Sequence, residues 1–78
     1  MRPDLLANVV PNADPDFLRV MSRLPDPPPH AYEFVIAALP KLHALFLEKR
    51  DAVAKNDIPA FEKIIEEEVE LLRSIHNP

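Results

Sequence analysis

The chain has 78 residues, no cysteine, no glycine, ten prolines and a formal charge of −4. A domain this short buries a small core. Without cysteine, neither disulfides nor thiolate-bound metals can reinforce that core, which leaves a second chain as the remaining staple. The acidic balance argues against nucleic acid and anionic membranes as partners, and the lack of glycine excludes glycine-rich phosphate loops.

Zero glycine also disfavours the tight turns of positive φ that join strands, so the expected class is all-α. No apolar run approaches the length of a membrane span, and Met1-Arg2-Pro3-Asp4 lacks the charged and apolar regions of a signal peptide. A cytoplasmic location is therefore expected.

Seven of the ten prolines fall before His30, dividing the chain into a Pro-rich N-terminal arm, 1–29, and a helical region, 30–78. In the arm, Asp4 to Val10 has room for one or two helical turns before Pro11 stops them. Asp14-Pro15-Asp16 is a helix start: an N-cap, a proline at the first helical position, and a carboxylate favourable at the positive end of the helix dipole. A short helix is predicted over about 15–24, presenting Phe17, Leu18, Met21 and Leu24 on one side. Pro25-Asp26-Pro27-Pro28-Pro29 cannot be helical and is expected as a stiff, extended spacer. Leu24-Pro25-Asp26-Pro27-Pro28 has the spacing of an SH3 ligand core, but Ser22 stands where a basic residue belongs, which favours the plain spacer.

Two longer helices are predicted next, at about 30–55 and 58–76. At 100° per residue the second sorts its side chains into two arcs. Ile58, Phe61, Ile64, Ile65, Val69, Leu71, Leu72 and Ile75 share one, and Glu62, Lys63, Glu66, Glu67, Glu70, Arg73 and Ser74 the other. Between the helices, Asn56 suits the left-handed position that ends the first, and Asp57 caps the second with Pro59 in its first turn. So short a connection makes an antiparallel helical hairpin. The turn is similar to the middle of a tetratricopeptide-type helical pair, but it stands once and lacks that repeat's other signature positions. Arrays need about three units, so no family follows from it.

In helix 30–55, Val35, Leu39, Leu42, Phe46 and Val53 form a stripe expected to face the second helix. Ile36 and Leu47 lie on one flank, Phe34 and Leu45 on the other, and His43 lies between Leu39 and Leu47. A helix apolar on several sides has more than one neighbour. Pro40 removes one hydrogen bond, but the periodicity continues through it, so a kinked, continuous helix is expected. At 1.5 Å per residue the two helices span ~39 and ~28 Å, so residues 30–36 overhang the hairpin. Either the 15–24 helix or a second copy of the chain must cover them.

Chemistry-bearing patterns are scarce. Neither Glu-x-x-His nor His-Glu-x-x-His occurs; Pro40 precedes His43 by three residues, and Arg73 precedes His76 by three. His76 suits the negative end of a helix dipole. Ser22 and Ser74 lack a nucleophile-elbow setting. Glu62, Glu66, Glu67 and Glu70 form a solvated acidic face. Glu68 is the anomaly, a carboxylate in the apolar arc, which must either pair with Lys49 about one turn from level with it or reach water.

The expectation is a non-enzymatic interaction or assembly protein with no cofactor and no metal, completed as a helical bundle by a second copy or another protein. The candidate interface is Tyr32, Phe34, Ile36, His43, Leu45 and Leu47, with Lys49 and Glu68 as a candidate buried polar pair. The alternative is a small cytoplasmic regulator, a chaperone-like inhibitor of one protein target that uses the N-terminal arm.

Overall fold

The computed structural model describes the backbone of residues 1–76 and the side chains of residues 1–74. All regular structure among the described residues is helical: α1 (Pro3–Val9), α2 (Pro15–Ser22), a 3-10 turn (Pro29–Ala31), α3 (Tyr32–Ala54) and α4 (Ile58–His76). The side chains of Ile75 and His76 lie outside the described residues.

The short helices begin and end for local reasons. Asp14 caps α2 by accepting the N–H of Asp16 on Oδ1 at 2.9 Å, with Pro15 at the first helical position. The helix ends at Ser22, two residues earlier than the predicted 15–24. Pro25 accounts for this, because a residue preceding proline is pushed out of helical geometry. A 3-10 turn delays the start of α3 to Tyr32. Pro40 does not end the helix: α3 runs through it, with the ring exposed to solvent.

The turn between α3 and α4 replaces glycine with asparagine. Asn56 takes φ 54°, Asp57 N–H donates to the carbonyl of Ala52 at 2.9 Å, and Asn56 N–H donates to that of Val53 at 3.1 Å. This pair of bonds is the Schellman closure of a helix C-terminus. Asp57 then caps α4, its Oδ1 accepting from Ala60 N–H at 3.3 Å. The two helices fold back on one another, and theirs is the most extensive packing between any two elements.

Two apolar clusters result. In one, Leu6, Val10, Phe17 and Met21 of the N-terminal segment enclose Leu39, with Val35, Ile36, Leu42 and Phe46 packed around them. In the other, Leu45 and Ala52 of α3 meet Ile64 of α4, flanked by Ala60, Phe61 and Leu71. Residues 1–29 thus supply much of the larger cluster.

The structure departs from expectation in how α3 is turned. The stripe Val35, Leu39, Leu42 and Phe46 faces the N-terminal helices rather than α4. It is Leu45 and Ala52 that face α4, on a side of α3 about 100° away. Leu45, placed by periodicity on an outer flank, is fully buried. Val53, placed on the inner stripe, is 63% exposed. The wide apolar arc of α3 is shared by two neighbours, and the bulky stripe takes the bulky arm.

Candidate interaction surface

The polar residues singled out by the sequence fall into two groups, each joining a pair of elements. At the start of α2, the backbone N–H of Asp14 donates to Nε2 of His43 at 3.1 Å. Arg50, two turns further along α3, places its guanidinium 2.8 Å from Oδ2 of Asp14 and 3.8 Å from Asp16. The imidazole of His43 meets the Phe17 ring edge-on at 4.9 Å, and Arg50 lies 5.8 Å from the centre of Phe46. Partial burial opposes ionisation of Asp14. The hydrogen bond and charge of Arg50, with the N–H groups of Asp16 and Phe17, outweigh it and hold the carboxyl below its ordinary 3.8. His43 therefore helps anchor the arm within the chain. Arg50 carried no sequence signal that singled it out.

Across the hairpin, Lys49 Nζ lies 3.1 Å from Oε2 and 3.4 Å from Oε1 of Glu68. The side chains retain 29% and 26% of their exposure, so the pair is half-buried and its charges stay partly hydrated.

The six interface candidates scatter. Leu45 is enclosed under α4, Ile36 packs against the arm cluster, His43 is engaged by Asp14, and Leu47 is half-buried. Tyr32 and Phe34 remain exposed, beside a shallow pocket that they share with Pro27, Pro29 and His30. Among the described residues, no three His, Asp or Glu side chains converge in a way that could hold a metal ion. No described helix is long and apolar enough to cross a membrane.

The open apolar surface lies elsewhere. Ile58 is 59% exposed, Val69 44% and Leu72 41%, all on α4, with Val53 beside Ile58 at the turn. Two separate hollows adjoin this side. Phe46, Val53, Phe61 and Ile65 line one between α3 and α4, together with Lys49 and Arg50. The other, an apolar hollow of about 300 Å³, lies where Met21 of the arm, Val35 and Leu42 of α3 and Leu72 of α4 approach. Periodicity marked every one of these α4 residues as apolar, but placed the candidate interface on α3.

The arrangement defines the class as a small all-α protein, a helical hairpin buttressed by an N-terminal helical arm. Comparison of the chain with protein-family models, curated proteins and solved structures finds no match.

Proposed function

We propose that the protein is a non-enzymatic, cytoplasmic assembly protein whose hairpin is completed by self-association. The observation that carries this reading is the uncovered apolar side of α4. Ile58, Val69 and Leu72 are large aliphatic side chains standing in solvent on a helix whose opposite face is charged. In a chain with so small a core, covering them supplies the stabilisation that cysteine or metal would supply elsewhere.

The alternative of an inhibitor with a detachable arm is less well supported. Releasing the arm strips Leu6, Phe17 and Met21 from Leu39. Thermal melting over a hundredfold range of concentration tests the proposal. A self-associating protein melts higher as concentration rises, and a constant midpoint would reject it.

A further inference from the structure

The open face of α4 has its own period. Ile58, Ile65 and Leu72 stand seven residues apart, with Val69 beside them, which is the spacing of a helix–helix seam. Ile64 and Leu71, which pack toward α3, lie about 120° round the helix from this stripe. Along its outer edge run the exposed side chains of Glu62 and Arg73.

Two magnitudes show a chain less compact than a self-contained domain of its size. The accessible surface is 5515 Å², whereas a folded monomer of 8.9 kDa should expose about 4800 Å². The radius of gyration agrees: it is 12.9 Å against about 11.5 Å for a compact domain of this length.

Resting on the self-association proposed above, we infer that the occupant is a second copy of this chain. Its α4 lies antiparallel on the first, so that two hairpins form a two-fold helical bundle. Charge selects the direction. With the axis level with Glu67, Ile65 lies level with Val69 of the second copy, while Leu72 comes within one residue of the level of Phe61, and Arg73 within one residue of that of Glu62, at both ends. A parallel pairing would put the Glu62 and Arg73 edges of the two helices on opposite sides of the seam, where these charges cannot meet. Glu68 brings no unpaired charge to the seam, because Lys49 of its own chain already holds it at 3.1 Å. Glu66 lies about 90° round from the stripe and stays in water.

The test exchanges the two edge charges in the full chain. Glu62→Arg alone and Arg73→Glu alone each place like charges at both ends and should weaken the dimer about tenfold, measured by sedimentation equilibrium. Mixing the two variants restores Arg–Glu pairs at both ends, so the mixture should recover the affinity of the original chain. Both positions are exposed, and unchanged helicity by circular dichroism confirms that the fold survives. Dimerisation insensitive to both exchanges, or not restored on mixing, overturns this face and direction while leaving self-association standing. A parent chain that stays monomeric overturns both.

Discussion

The backbone N–H of Asp14 donates to Nε2 of His43 at 3.1 Å, fastening the first turn of α2 to the middle of α3. An accepting ring nitrogen must be unprotonated, and the bond satisfies one of the N–H groups left free at a helix start. His43→Leu leaves that N–H without a partner in a partly buried position, at a cost of about 1–3 kcal/mol. Urea unfolding should show the loss, with His43→Gln retaining part of the stability. Equal stability of all three proteins would show that the bond is dispensable.

Asp14 supplies a pH dependence of known sign. Its carboxyl titrates below 3.8 in the folded chain and near 3.8 when unfolded. Its contribution is therefore complete above 3.8 and fades as the pH falls through the lower folded value. Asp14→Asn keeps the cap but removes the charge, since asparagine caps about as well as aspartate. The variant should be less stable than the original chain at neutral pH, and the gap should close in acid. A gap that does not narrow as the pH falls below 3.8 would refute this role.

Much of this was legible before the structure, and the reason it stopped where it did is physical. Asp14-Pro15 and Asn56-Asp57 encode helix ends by local hydrogen bonding, and both ends fall where that chemistry puts them. Lys49 and Glu68 lie together because the turn sets the register of the hairpin. The orientation of α3 was not legible. Periodicity marks which arcs are apolar, but two neighbours compete for Leu39 and Leu45, and packing volume decides between them. The clasp of Asp14 with His43 and Arg50 was invisible for the same reason, since it joins segments separated by the proline spacer.

The shared core predicts which deletions matter. Leu6→Ala, Leu39→Ala and Leu45→Ala each empty a fully buried site and should cost about 2–5 kcal/mol. Phe34→Ala, at a side chain 52% exposed, should stay within about 0.5 kcal/mol. Because Leu6 and Leu39 share one cluster, removing residues 1–29 should abolish cooperative melting. A truncated hairpin that melts like the full chain would mean that the arm is not part of the core.

The pairing of Lys49 with Glu68 should contribute little. Both side chains are partly hydrated, so a double-mutant cycle should give a coupling below about 1 kcal/mol. Lys49→Met combined with Glu68→Leu should melt at or above the temperature of the original chain, since an apolar pair loses no solvation. A strong drop in the double variant would reveal a network that depends on the carboxylate.

Self-association through α4 is tested most directly by molar mass in solution. Sedimentation equilibrium at micromolar concentrations should return twice the 8.9 kDa of the chain, falling toward the monomer on dilution. A mass of 8.9 kDa at every concentration would contradict the proposal, leaving Ile58, Val69 and Leu72 uncovered by a second copy.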